Sequence, residues 1–432
     1  MPTQQAYRAS LLHFLDDPRY REDALQWHDD GLLIVQDGRV LAAGDYAQLK
    51  QQLPPDLAVQ HWPGKIILPG FIDSHVHYPQ TDMIASPAPG LLPWLEIYTF
   101  PTERRFQDPQ HASEVASFFL DELLRCGTTT AMVYCSVHPA SVEAFFEQSA
   151  ARNLRMIAGK VLMDRNCPAF LQDSPEGGVR DSETLIQRWH KNGRQLYAIT
   201  PRFAPTSSNA QLQLAGELAQ RYPDTYIQTH VAENKEECDW ARALFPEARS
   251  YLDIYDRYGL LRRRAIYGHG IWLDQTDRQR MQESQSAIAL CPTSNLFLGS
   301  GLFDFDSAQA AQVLLALATD VGGGTSFSML QTMNEAYKVA RMVGSYLPAA
   351  QLFYLATLGA ARSLQLEGTI GNFAPGNEAD FIVLDPQATP LLARRTACTN
   401  SLEELLFAIA MLGDDRAIAA TYAAGQQVHV RK

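Results

Sequence analysis

The sequence predicts an α/β chain: a (β/α)8 TIM-like barrel with a small β-sandwich domain formed from both chain ends. Three observations predict it. From about residue 68 to 366, eight short apolar strands alternate with amphipathic helical segments, which implies a parallel sheet, and eight such units imply closure. Metal-type residues fall at the ends of several of those strands. Strand-and-turn texture fills both ends of the chain, which assigns residues 1–67 plus 370–432 to the small domain and 68–369 to the barrel.

Each element has its own signal. Gly31 to Gly38 is an apolar run closed by Asp37-Gly38, a hairpin turn, and Arg39 to Gly44 follows as its partner. Lys65 to Leu68 leads through the turn pair Pro69-Gly70 into Phe71-Ile-Asp-Ser-His-Val76, the first barrel strand. The other seven are expected at residues 129–134, 155–162, 196–200, 225–230, 264–269, 286–291 and 314–319. Helical patterns lie between them, as at Glu114 to Cys126 and Asn209 to Tyr222. Past residue 370, Gly371 to Leu384 reads as turn then strand, and Arg416 to Val430 as a hairpin turning at Ala424-Gly425.

His75 and His77 are two apart on a strand, so both imidazoles point to one side. That is the start of a nitrogen-ligand metal site, zinc being its commonest occupant; a solvated pair on a surface strand is the alternative. Catalytic groups of such barrels collect at the C-terminal strand ends. His230 ends the fifth expected strand, His269 the sixth and Asp320 the eighth, at spacings of 39 and 51 residues. Glu233 follows His230 by three residues, placing a carboxylate over the same end. Its alternative is a helix-start Glu favoured by the dipole. The other seven histidines lie on helical faces, in loops or in the terminal segments and read as solvated or structural.

Composition narrows the class. The chain is 46% hydrophobic and 19% charged, with a net charge of −12, which disfavours nucleic acid and anionic membrane surfaces as partners. Six cysteines show no C-x-x-C pair, and few cysteines in so long a chain fit a reducing compartment. Met1 to Leu12 carries no signal-peptide pattern, and no run is long enough for a membrane helix. A cytoplasmic protein is expected.

His75-Val-His77, His230, His269 and Asp320, with Pro69-Gly-Phe-Ile-Asp73 and Gly376-Asn-Glu-Ala-Asp-Phe381, resemble the amidohydrolase superfamily of metal-dependent hydrolases over nearly the whole chain. The His230-x-x-Glu233 arrangement is that of its mononuclear deaminase branch. Lys160, a candidate for the bridging lysine of binuclear members, falls on the third expected strand rather than the fourth and reads as structural. Tyr78-Pro-Gln80, Thr99 to Phe106, Ile199-Thr-Pro-Arg-Phe203, Thr229 to Asn234 and Cys291 to Gly301 narrow the resemblance to members that deaminate a purine base. Gly270, after His269, departs from the residue expected there. The His-x-Glu with Pro-Cys-x-x-Cys design of other zinc deaminases is absent.

The resemblance implies hydrolytic deamination of guanine, a small-molecule substrate, to xanthine and ammonia. The alternatives are 8-oxoguanine or another aminated heterocycle as substrate, or a catalytically dead scaffold. It implies one zinc per subunit, rather than iron or manganese, on His75, His77, His230 and Asp320. Glu233, Asp320 and His269 are the implied catalytic residues. Gln80, Arg202, Phe203 and Trp94 are implied to contact the substrate, beside His77, His230, Glu233 and Asp320. Glu103, Arg104 and Arg105 are expected to form ion pairs near the mouth, and the subunit is expected to form a homodimer.

Overall fold

The computed structural model describes residues 4–432. Its barrel strands are β1 (Phe71–His77), β2 (Thr128–Tyr134), β3 (Arg155–Gly159, continued as Val161–Leu162), β4 (Leu196–Pro201), β5 (Tyr226–Val231), β6 (Ala265–His269), β7 (Ala287–Leu290) and β8 (Leu314–Leu317). Every consecutive pair is parallel. The ring closes just past the end of β8, where the Asp320 amide donates to the His75 carbonyl (3.0 Å) and the His77 amide to that of Val321 (2.7 Å). One apolar cluster takes a buried residue from each strand: Ile72, Met132, Ile157, Ala198, Tyr226, Ile266, Ala289 and Ala316. A second, larger cluster packs strands against the surrounding helices, as expected for a packed barrel rather than a pore.

The helices start where local chemistry permits. Asp108 caps Pro109–Arg125 and Ser208 caps Asn209–Arg221, each accepting from a first-turn amide. The first of these begins five residues before the expected Glu114, at the Asp-Pro pair that marks N-cap and N1. The strand expected at 155–162 is interrupted at Lys160.

Seven strands from both chain ends form one further sheet. Its order is Gln426–Val430, Ile418–Ala423, Phe381–Leu384, Val59–Pro69, Gln4–Phe14, Leu25–Gln36 and Arg39–Asp45. The hairpins turn at Asp37-Gly38 and at Ala424-Gly425, as the sequence indicates. Tyr7 and Tyr422 stand three strands apart, which in a flat sheet means roughly 14 Å. Their rings are 5.1 Å apart, and Tyr7 Oη donates to the Gly425 carbonyl at 3.0 Å. The sheet is therefore curled so that one face packs on itself, which supplies the two layers of a sandwich. Two helices, Pro390–Thr396 and Leu402–Leu412, lie between the expected strand ending at Leu384 and the expected hairpin from Arg416, in a stretch given no assignment from sequence. Only Gly70 separates Val59–Pro69 from β1, and a Cβ there would lie 2.1 Å from Thr129 Oγ1, so that corner admits no side chain.

Candidate active site

The ends of β1, β5, β6 and β8 bring four imidazoles and a carboxylate to one point. Nε2 of His77 lies 3.3 Å from Nε2 of His75 and 3.2 Å from Nε2 of His230. Asp320 Oδ1 is 3.3 Å from Nε2 of both His75 and His77. Atoms of His75, His230, His269 and Asp320 all fall within 4.8 Å of one another. All but the partly buried His230 are buried. For a tetrahedral ion bonded at 2.0–2.1 Å, ligand atoms stand roughly 3.3–3.4 Å apart. The observed spacing fits such an ion.

The ring nitrogens are also in the right state. His230 Nδ1 lies 2.7 Å from the Arg202 carbonyl. A carbonyl only accepts, so Nδ1 carries the proton and Nε2 turns a lone pair inward. Burial, and then the neighbouring His75 and His77, push the His230 pKa well below its ordinary value; burial holds His77 down to about 3. Both rings are neutral at physiological pH. Burial opposes ionisation of Asp320, but His75 and the hydrogen bonds around it outweigh that and hold the carboxyl well below the usual range. Neutral imidazoles with one carboxylate are a donor set suited to zinc.

Local structure holds these groups under strain. His269, Asp320 and Ala232 have φ of 73°, 51° and 49°, a left-handed region that costs non-glycine residues about 1–3 kcal/mol each. A Cβ on Gly268 would lie 2.6 Å from His75 Cε1, so β6 gives way to the ligand ring. Asp73 accepts from the Thr319 amide (3.1 Å), the Thr319 hydroxyl and the His75 amide (3.3 Å). It ties β1 to the segment after β8, between His75 and Asp320.

Glu233 stands over the cluster. Its Oε1 accepts from Ser300 Oγ at 3.0 Å, and its Oε2 lies 3.3 Å from His269 Nε2. Burial, reinforced by the charge of Asp320, lifts its pKa to about 8. His269 Nδ1 lies 2.8 Å from Asn295 Oδ1. Glu237 accepts from the Glu233 and Asn234 amides (3.0 and 3.1 Å) and from Tyr251 Oη (2.6 Å), fixing the loop that carries Glu233.

A pocket opens on this centre. Nine residues singled out from sequence line it: His77, Gln80, Trp94, Arg202, Phe203, His230, Glu233, His269 and Asp320; Leu91, Leu95, Leu298 and Gly323 complete the wall. His75 lies behind His77. Trp94 is buried and its indole N–H donates to the Ser86 carbonyl at 3.1 Å, so it serves as both wall and core.

The expectation for Glu103 and its two neighbours is corrected, that for Lys160 stands, and three residues are added. Glu103 is not at the mouth: it is 1% exposed and pairs with Arg202, while Arg105 pairs with Asp82 and Arg104 covers the Phe170 ring. Lys160 donates to Asp173 Oδ2 (2.6 Å) and to the Val161 carbonyl (3.2 Å), a structural pairing. Tyr134, which sequence reasoning missed, stacks on His77 with ring centroids 4.4 Å apart; its position at the end of β2 was the available signal. Ser300 and Asn295 were also missed as individuals, although both lie in the Cys291–Gly301 stretch.

The profile of the amidohydrolase family matches residues 66–428. The chain is 49% identical to the guanine deaminase of Escherichia coli strain K12, over 99% of this chain and 98% of that one. Among solved structures, E. coli guanine deaminase superposes with a TM-score of 0.96 at 48% identity, covering all of both chains. Guanine deaminase from C. acetobutylicum, solved with guanine bound in its active site, superposes with a TM-score of 0.88 at 25% identity, covering 99% of this chain and 100% of that one.

Proposed function

The chain belongs to the amidohydrolase family, and from that premise we propose that it hydrolyses guanine to xanthine and ammonia. The observation that carries the reading is Glu233, a buried carboxyl pushed up to about 8, standing beside the metal-type cluster in the wall of a pocket that Gln80, Arg202, Phe203 and Trp94 also line. We assign zinc to His75, His77, His230 and Asp320. When bound, zinc supplies a water of lowered pKa and a positive centre.

The chain's own residues do the rest. Glu233 is protonated at neutral pH and donates to the ring nitrogen next to the amine-bearing carbon as water attacks that carbon. Ser300 occupies Oε1 and leaves Oε2 on the His269 side for this transfer. Asp320, held ionised, accepts a proton from the attacking water, and His269 orients that water. Glu233, now a carboxylate, takes the remaining hydroxyl proton of the added water and hands it to the departing amine, and the proton held by Asp320 then restores Glu233. Arg202 and Gln80 bind the polar edges of the base, while Phe203 and Trp94 supply apolar walls. A site that hydrogen-bonds its substrate's edges rejects mismatched bases by as much as about 10⁴–10⁵-fold.

The same proposal includes a cytoplasmic homodimer, with the small domain at residues 1–67 plus 370–432 and the barrel at 68–369. Six free cysteines fit a reducing compartment, and among the described residues no helix is long and apolar enough to cross a membrane. Metal analysis beside ammonia release from guanine, 8-oxoguanine, adenine and cytosine tests the reading. Zinc near one per subunit with guanine preferred is expected; no metal and no ammonia from any base overturns it.

A further inference from the structure

Behind the two side chains proposed to bind the base lies a third that does not line the pocket. Glu103 ends the short helix Phe100–Glu103. Its two oxygens accept from Arg202 Nη1 at 3.0 and 2.8 Å, and its Oε1 also accepts from Gln80 Nε2 at 3.0 Å. A carboxylate only accepts, and the Gly322 amide, which reaches Gln80 Oε1 at 3.3 Å, only donates. The Gln80 amide therefore has one orientation. Among the described residues Arg202 has no other ion-pair partner. His77, Glu233, Asp320, Tyr134 and Cys167 are the other titratable groups around it.

We infer that Glu103 is a positioning residue that makes the base-reading face charge-neutral, so that the site accepts a neutral purine and releases an anionic one. The inference rests on the guanine-hydrolysing reading. Xanthine carries imide N–H groups that guanine lacks and loses a proton near neutral pH, whereas guanine stays neutral there. An unpaired guanidinium, dry and fixed, would attract the product's anion strongly. Paired with Glu103, Arg202 offers hydrogen bonds without net charge, so it gives the product's anion no added hold over a neutral base.

The test is xanthine inhibition of the zinc-loaded enzyme against pH, in the wild type and in Glu103→Gln and Glu103→Asp. In the wild type, inhibition should not tighten as pH rises through xanthine's own ionisation, changing by less than about threefold. Glu103→Gln should tighten xanthine relative to the KM for guanine by about tenfold, more at higher pH, with kcat changing less than KM. Glu103→Asp keeps the charge and should hold the wild-type ratio to within about threefold while raising KM. Wild-type inhibition that tightens with pH, or a folded Glu103→Gln with an unchanged ratio, overturns the inference. The wild-type series decides alone if Glu103→Gln does not fold. Absence of ammonia from guanine in the wild type is a different failure, that of the activity itself.

Discussion

Two clusters of buried charge hold this molecule together, and they are built on opposite rules. In the first, Arg155 and Arg194, which flank β3 and β4, meet Glu378 and Asp380 from the turn before Phe381–Leu384. Arg155 Nε donates to Glu378 Oε2 at 2.6 Å, Arg194 Nη2 donates to the same oxygen at 2.7 Å, and further contacts join Arg155 to Glu378 Oε1 and Arg194 to Asp380. Cation faces anion in forked geometry, and Glu378 stays below its ordinary pKa despite burial, because both arginines favour its charge. In the second, at the opposite end of the barrel, lone pairs face lone pairs and Glu233 keeps its proton. A saturated cluster joins sheet to barrel; in the unsaturated one, acceptors face acceptors with no cation among the described side chains between them. Burial alone does not distinguish structure from chemistry, but the completeness of pairing does.

This contrast can be broken from either side. Glu233→Gln should give the largest effect: turnover falls by about 10²–10⁴-fold while bound metal, measured by elemental analysis, stays at the wild-type level. Retained turnover would remove Glu233 from the chemistry. In the saturated cluster, Glu378→Ala leaves two buried guanidiniums short of a partner and should cost about 3–5 kcal/mol in denaturant unfolding, with metal stoichiometry unchanged in the folded fraction. A variant as stable as wild type would show that the cluster does not join the two units. Asp73→Asn weakens the seam between β1 and the end of β8 and should cost about 1–3 kcal/mol, read by the same unfolding curve.

The smallest effect concerns pH. Burial raises Asp73 to about 6, Glu237 to about 7 and Glu233 to about 8. Each folded pKa exceeds its unfolded value, so each of these carboxyls takes stability away as pH rises from about 4 towards its folded value. His77 and His230, neutral when folded, oppose this below about pH 6.5, and above that the loss stands alone. Metal-free protein should show this slope in thermal unfolding, and Glu237→Gln should flatten it below about pH 7. An identical slope in the variant would mean that Glu237 titrates normally.

Much of the barrel and of the catalytic centre was legible because both follow local rules. A two-residue spacing on β1 and metal-type residues at the ends of β5, β6 and β8 are visible in a linear chain. What escaped depends on pairing across distance. Nothing near Glu103 announces Arg202, 99 residues away, and the adjacent Arg104 and Arg105 offer a misleading local partner. Ser300 and Glu233 likewise meet only through the fold. Leu402–Leu412 is nearly all apolar, so its helical period is hidden and its neighbours suggest strands. In Gln4–Phe14 the register shift between Ala9 and Leu11 breaks the two-residue alternation that would have marked one long strand.

The curled sheet also dictates an order of events during synthesis. Val59–Pro69 lies between Gln4–Phe14 and Phe381–Leu384, and its second neighbour leaves the ribosome about 310 residues later. At roughly 5–20 residues per second that is a delay of about 15–60 s. Through that interval the segment that launches β1 presents an open edge, while the barrel it leads into is emerging strand by strand. The nascent chain is thus exposed to mispairing along Val59–Pro69 until Phe381–Leu384 emerges and ends the wait.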